Sequence, residues 1–470
     1  MVFEMSKKGI KKLVGFILGV VIAAGFILVS PPAGLSREAM VALGFLVAAV
    51  VWMVFETMPD YVAMMAMCSC WVVFGAADTK TAFATFSNNT FWLLTGALAI
   101  GAGTASSGLL NRISLKMMSL FPATHKGQCA ALLTTGLVTG PLIPSTTAKA
   151  GIMGPIARAI GDKFGYGNDS KGGAGLFAAF LIGSTTSAPL FLSSSFIAYS
   201  GLALAADYCS VSWIQWFYYA IPWNIVVLIP LYLIGLKMYK PEHEVTISRD
   251  DIKAQSKSLG ALSRNEKITI AVLVFCLVFW MLENVIGVAS GMTAVIGVVI
   301  MLTLGVYDRQ TFRSKIAWDS LVFIGCIISL GDVFSATGVN DYIREMLAPV
   351  ITPLLSNIWL FIPLFCIVIF AMRYIVASWV AAMTIVTVPL LPFCEELGIH
   401  PFVIVFISYV CVQTWNTIYQ SSPYIAAQVS TGQHLGNHSM MRKFSWIYMV
   451  LCIIGLLVAA VWWKLIGLLP

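Results

Sequence analysis

Several short runs of small hydroxyl-bearing residues lie inside long apolar stretches of this chain, where a serine or threonine finds no water to bond. Pro144-Ser145-Thr146-Thr147-Ala148 opens a small-residue run that ends at Pro155, and Ala377-Ser378 opens a second that ends at Pro389. Ser193-Ser194-Ser195 and Ser421-Ser422-Pro423 interrupt two further apolar stretches. A helix broken inside hydrocarbon exposes N-terminal amides and unpaired carbonyls, which are tolerated only where they line a cavity or meet a ligand. Ser145, Thr146 and Thr147 add hydroxyls that donate to a carboxylate or accept from a cation, and a helix beginning near Ala148 turns its positive dipole end to the gap. An anion is the natural occupant. Lys149, one residue past the first run, and Arg373, just before the second, strengthen that reading. An ionisable side chain at the bilayer centre costs at least ~2.5 to 3.5 kcal/mol and needs a compensating partner. Either the two face a central cavity and supply positive charge to a dianion, or Arg373 snorkels to the surface and Lys149 pairs with a carboxylate such as Asp332 or Glu56.

The elements that must carry these residues are membrane helices. Of the 470 residues 59% are hydrophobic and 10% charged, the mean hydropathy is +0.89, and apolar runs of span length recur. The fold class is an all-α polytopic membrane protein. Spans are expected at 10–30, 39–57, 60–77, 91–110, 174–205, 214–236, 268–288, 292–307, 320–339, 402–428 and 446–463, eleven crossings in all. Two further stretches, 128–160 and 357–394, are interrupted midway and read as re-entrant hairpins. The second half also repeats the first. Gly101, Gly108 and Ile113 match Gly331, Gly338 and Ile343; Ser145 and Ala148 match Ser378 and Ala381; SSSFIA matches SSPYIA, so that Ser194 meets Ser422. Paired halves with matching helix breaks are a mark of secondary transporters.

Charge sets the topology. With the N-terminus in the cytoplasm, most of the 28 lysines and arginines fall in inner loops, while Arg37, Lys80, Arg344 and Lys464 lie outside and Lys149 and Arg373 lie in the membrane. Five crossings and one hairpin per repeat force the second repeat upside down. The expected organisation is a first helix (1–38), repeat 1 (39–239) with a cytoplasmic-side hairpin, a cytoplasmic linker (240–267), and repeat 2 (268–470) with an outer-side hairpin, in the cell (inner) membrane with the C-terminus outside. The net charge of +7 belongs largely to inner loops and implies contact with anionic lipid heads rather than nucleic acid.

Other chemistries find little support. Cysteines such as Cys68, Cys276 and Cys411 sit in apolar segments without CxxC spacing, and His434 and His438 have no acidic or thiol partner nearby, so no certain metal site is expected. A magnesium-binding carboxylate cluster and a His-Glu-x-x-His helix are both missing from the sequence, which argues against an intramembrane enzyme. Closed hairpins without a charged ring argue for alternating access over an open channel.

From about residue 40 onward the chain resembles the divalent anion:sodium symporters, carriers of dicarboxylates, tricarboxylates or sulfate. The resemblance rests on WLLTGALAIGAGTASSGL, on PSTTAKAGIMGP, similar to the family's Ser-Asn-Thr hairpin tip, and on RYIVASW at the second tip. Lys149 after the first tip and Arg373-Tyr374 before the second are most similar to the branch of 2-oxoglutarate/malate translocators and citrate/succinate exchangers. The resemblance implies a homodimer working by an elevator motion, with a small organic dianion or sulfate held by Ser145, Thr146, Thr147, Lys149, Ser194, Ser195, Arg373, Ser378, Ser421 and Ser422. It also allows sodium as a coupling ion near Ser145, Thr147 and Ser378. Thr146, Trp379 and Val380 depart from the family's tip residues, and the latter two offer a cation no side-chain oxygen. A fixed Lys149 ammonium doing the electrostatic work of sodium favours an exchanger or a proton-coupled carrier, with a sodium-coupled dicarboxylate or sulfate symporter as the alternative.

Overall fold

The computed structural model of the chain describes residues 7–243 and 259–470. The middle of the expected linker, with Arg249, Asp250, Asp251, Lys253 and Lys257, lies outside the described residues. Among the described residues every regular element is helical. Six helices are long and apolar enough to cross a membrane alone, or up to eight if two strongly bent pairs each count as one span, and four shorter apolar helices accompany them. Their outer faces are apolar too. Ile10, Val14, Ile17 and Val21 on Lys7–Leu28, and Val450, Ile454 and Val461 on His438–Leu465, all face outward. Stripes of this kind at helical spacing suit lipid and not water. The chain is a multi-pass membrane protein.

Each of the two interrupted stretches is divided into a pair of helices. The first runs down His125–Thr139, turns through Gly140–Leu142, and returns as Thr146–Lys163; the second runs down Ile358–Met372 and returns as Trp379–Thr387. The stretches 174–205 and 402–428 are each broken, into Lys171–Leu181 and Phe196–Leu204 and into Pro401–Val412 and Ser422–Ser430. Two helices occupy what the sequence reads as loops. Leu109–Leu120 follows Gly108 at φ +86° and is bent 64° from Asn89–Ser106, and Val339–Ser356 follows Gly338 at φ +75°. Glycine adopts that left-handed cap without a Cβ penalty, and each cap ends one helix and starts the next in a new direction. Leu109–Leu120 buries Leu109, Leu110 and Met118 while Lys116 is exposed, the pattern of a helix lying on an interface. Arg112 fastens it: Nε lies 2.7 Å from Glu266 Oε1, and the Nη groups donate to the carbonyls of Leu259, Gly260 and Ala261.

The two halves interlock. Asn89–Ser106 packs on Ser290–Thr303, Asp60–Val73 on Trp318–Thr337, Thr146–Lys163 on Ser422–Ser430, and Trp213–Met238 on His438–Leu465. Small residues bring the backbones together, since hydrocarbon offers no hydrophobic drive between helices. Gly96 sits against Ala294, Gly154 against Ser430, and Gly136 against Gly183, where the first hairpin meets the π-helical turn Ile182–Thr186. A Cβ at Gly136 would run into the Gly183 backbone, which has no side chain to give way. Gly136→Ala is therefore expected to cost about 1–3 kcal/mol of stability in detergent. Gly151→Ala on the same hairpin, where nothing stands within 4 Å of the added methyl, should hold or raise the melting temperature.

Candidate functional site

Four helices begin inside the protein, at the interruptions marked by serine in the sequence. They are Thr146–Lys163, Phe196–Leu204, Trp379–Thr387 and Ser422–Ser430. Each is N-capped by a serine in extended conformation. The hydroxyls of Ser145, Ser195, Ser378 and Ser421 accept from the amides of Ala148 (3.2 Å), Ile197 (3.2 Å), Ala381 (3.3 Å) and Tyr424 (3.2 Å). A cap serine satisfies one of the roughly four N–H groups left open at a helix start, so the others remain for a ligand. The first two residues of all four helices line one cavity of about 320 Å³: Thr146 and Thr147, Phe196 and Ile197, Trp379 and Val380, Ser422 and Pro423. At about +0.5 elementary charge per helix N-terminus, the four ends present roughly +2, the complement of a dianion. Ala377 and Ser378 complete this wall. The facing wall comes from the starts of Asp60–Val73 and Trp318–Thr337, and includes Asp60, Tyr61, Asp319 and Ser320.

The two membrane cations stand behind this wall. Lys149 is fully buried, and its Nζ donates to the Ser194 carbonyl (3.0 Å) and hydroxyl (2.6 Å). It thereby ties the first hairpin to the break at Ser193–Ser195, which is also held by Ser193 Oγ donating to the Pro141 carbonyl and by the Phe196 amide donating to the Pro144 carbonyl, both at 2.9 Å. Arg373 is as deeply buried. Its Nη1 donates to the carbonyls of Val376 (2.5 Å) and Ala377 (2.6 Å), its Nη2 donates to that of Gln420, and Trp379 Nε1 donates to the same Gln420 carbonyl at 2.7 Å. In both halves a tethered cation therefore holds a hairpin tip and the adjacent helix break. Neither Asp332 nor Glu56 pairs with Lys149, and Arg373 does not snorkel.

Of the ten residues expected at the site, Thr146, Thr147, Ser378 and Ser422 line the cavity. Ser145, Ser195 and Ser421 sit one position back as caps, and Lys149, Ser194 and Arg373 brace the tips. The structure adds Gln420, Asp60 and Asp319. Gln420 organises the second break, its side-chain carbonyl accepting from the amides of Asn416 (2.6 Å) and Thr417 (2.9 Å). The carbonyl oxygens of Val376, Ala377, Gln420 and Ser194 beside the tips already accept from Arg373 and Lys149, while Thr146, Thr147 and Ser378, with their hydroxyls, line the cavity. No group of three or more His, Cys, Asp or Glu able to hold a metal ion exists among the described residues.

The sequence profile of the sodium:sulfate symporter transmembrane region matches residues 10–469. The chain belongs to that family. It is 28% identical over 360 residues to the inner membrane protein YbhI of Escherichia coli (strain K12), covering 73% of this chain and 74% of that protein. The spinach (Spinacia oleracea) chloroplastic dicarboxylate transporter 1 is 26% identical over 455 residues, covering 93% and 78%. The citrate/succinate antiporter of Escherichia coli (strain K12) is 25% identical over 371 residues, covering 72% and 74%. Among solved structures, the YdaH transporter of Alcanivorax borkumensis shares the fold at a TM-score of 0.55 with 13% identity, covering 98% of this chain and 99% of its own. MtrF of Neisseria gonorrhoeae does so at 0.53 with 14% identity, covering 97% and 95%. This member of a divalent-anion family is a transporter, not an enzyme.

The bracing role of Arg373 is open to measurement. Three backbone carbonyls depend on its planar fork, and lysine offers one compact charge in its place. Arg373→Ala is expected to destabilise the purified protein by about 2–5 kcal/mol, since buried acceptors lose their donors, with Arg373→Lys intermediate. Thermal unfolding of the three proteins in one detergent gives the comparison.

Proposed function

We propose that this protein exchanges divalent organic anions, dicarboxylates foremost, across the inner membrane without sodium in its cycle. The observation that carries this reading is the pair of tethered cations at the helix breaks. Lys149 and Arg373 place fixed positive charge on the backbone carbonyls beside the tips, and neither has a carboxylate partner among the described residues. The bound dianion then supplies the missing negative charge. An empty carrier moving these breaks through the membrane would carry two uncompensated positive charges, at a cost of at least ~2.5 to 3.5 kcal/mol each, whereas a loaded one is close to neutral. Exchange follows from that difference.

Eleven crossings, two inverted repeats and two re-entrant hairpins make the architecture we favour, with the N-terminus in the cytoplasm and the C-terminus outside. In that orientation Asp60 and Asp319 stand at inner helix ends, beside the cavity. Asn89 and Ser290 stand at outer ends, where Asn89 Oδ1 accepts from the Gly291 amide at 3.0 Å and seals the junction. The cavity thus opens inward. The hairpins and broken helices pack with Trp213–Met238 and His438–Leu465 and meet Asn89–Ser106 at Phe196–Leu204 and where Gly101 faces Pro144, and sliding of the first group past the bundle of Asn89–Ser106 and Ser290–Thr303 would turn the cavity outward. A homodimer anchored through the second group fits that elevator motion. The second reading, a sodium-coupled symporter of dicarboxylates or sulfate, is favoured by the family's own description.

Counterflow in liposomes decides between them. Uptake of labelled dicarboxylate should require unlabelled dianion inside and proceed equally in choline and sodium; sodium-driven uptake into empty vesicles would overturn the proposal. Replacing Lys149 by methionine removes one of the two counter-charges near the cavity, and at an effective dielectric of about 20 this should weaken dianion binding roughly 10- to 100-fold. A monoanion should lose far less. Isothermal titration of wild type and Lys149→Met with both ligands checks it.

A further inference from the structure

The cavity proposed for a dianion is itself acidic on one side. Asp60 and Asp319 line it together with the four serine-capped helix starts, and Glu56 adds a further negative charge close to Asp60. No lysine, arginine or histidine is among the lining residues. Asp60 also faces Ser378, the cap of the second hairpin helix.

The repeat shows that these carboxylates are not demanded by the fold. The register that sets Gly101 against Gly331 and Gly108 against Gly338 sets Asn89 against Asp319 and Ser290 against Asp60. At the equivalent junction of the other pair of helices, an amide and a hydroxyl do the work, with Asn89 Nδ2 donating to Ser290 Oγ at 3.5 Å and Asn89 Oδ1 accepting from the Gly291 amide. That junction is neutral and joined. Its counterpart carries two carboxylates, which repel each other when ionised, and a cavity lies between them and the helix starts.

We propose that Asp60 and Asp319 set the charge of the transported anion, admitting dianions and rejecting trianions. This rests on the dianion-transport reading above and names the substrate class within it. The four helix ends and the two tethered cations together offer about +4, which Asp60 and Asp319 reduce to about +2, the complement of a dianion. A third carboxylate on the substrate exceeds that charge and meets helix starts whose positive ends are already offset by Asp60 and Asp319. At separations of roughly 6 to 12 Å and an effective dielectric near 20, one like-charge contact of this kind is worth roughly 10- to 100-fold in affinity. Specificity is then achieved by repulsion of the wrong ligand as well as attraction of the right one.

Calorimetric titration of the full-length protein with succinate and citrate, at a pH where they carry two and three charges, tests the proposal. Wild type should bind succinate at least about 10-fold more tightly than citrate, and the double variant Asp60→Asn, Asp319→Asn should narrow that gap by about 10-fold or more. Asn89→Asp, remote from the cavity, should leave the gap as it is. If the double variant does not fold, Asp319→Asn alone places at 319 the residue the repeat already uses at 89, and it should narrow the gap several-fold. Wild-type affinity for citrate should also rise as the pH is lowered until citrate is a dianion. A wild type that binds citrate as tightly as succinate overturns the proposal, as does a folded variant with an unchanged gap. A wild type that binds neither anion removes the transport reading beneath it as well.

Discussion

A helix broken inside a membrane leaves amides and carbonyls that lipid cannot satisfy, and the whole arrangement of this protein answers that one constraint. The carbonyl ends are met from within the chain, by Lys149 at Ser194 and by Arg373 at Val376, Ala377 and Gln420. The amide ends are met only in part, by the cap hydroxyls of Ser145, Ser195, Ser378 and Ser421. What is left over is a set of partial positive charges gathered on one small cavity. The unfinished half of the hydrogen bonding is the anion site we propose, and the finished half holds it in shape.

In the proposed exchange cycle that division would also couple binding to movement. Each cation joins a hairpin tip to a helix break, so the two would shift together, with the bound anion balancing the charge they carry. Close backbone contacts at Gly136–Gly183 and Gly154–Ser430 make the surrounding body stiff enough to move as a unit. Asn89 and Ser290, which meet where their helices start, and Asp60 and Asp319, which line the cavity, take matching places in the sequence repeat yet differ in chemistry.

Much of this was legible in the sequence because a serine in an apolar run is conspicuous and because each break occurs twice. Ser145 and Ser378, and Ser194 with Ser422, were found together by the repeat, and the helix breaks they mark fall at these residues. The helices Leu109–Leu120 and Val339–Ser356 were hidden as loops, since Asn111, Arg112 and Lys116 in one and Pro349 and Pro353 in the other break the apolar run that marks a span. The distinction between lining and bracing residues was out of reach, as it depends on whether a hydroxyl points at a neighbouring amide or at the cavity. Asp60 and Asp319 were missed because an acidic residue at a helix N-terminus is ordinary. Only the comparison of Asn89 with Asp319 through the repeat singles them out, and that comparison gains meaning once both are seen on one cavity wall.

The central claim is that the four serine-capped helix starts hold the anion, with the tethered cations behind them standing in for sodium. The most direct measurement is an electron cryomicroscopy map of the protein with a saturating dicarboxylate in sodium-free buffer. The account predicts ligand density between Thr146–Thr147 and Trp379–Ser422, with Lys149 still on Ser194 and Arg373 still on Gln420. Ligand density elsewhere, or density at this place only after sodium is added, would contradict it.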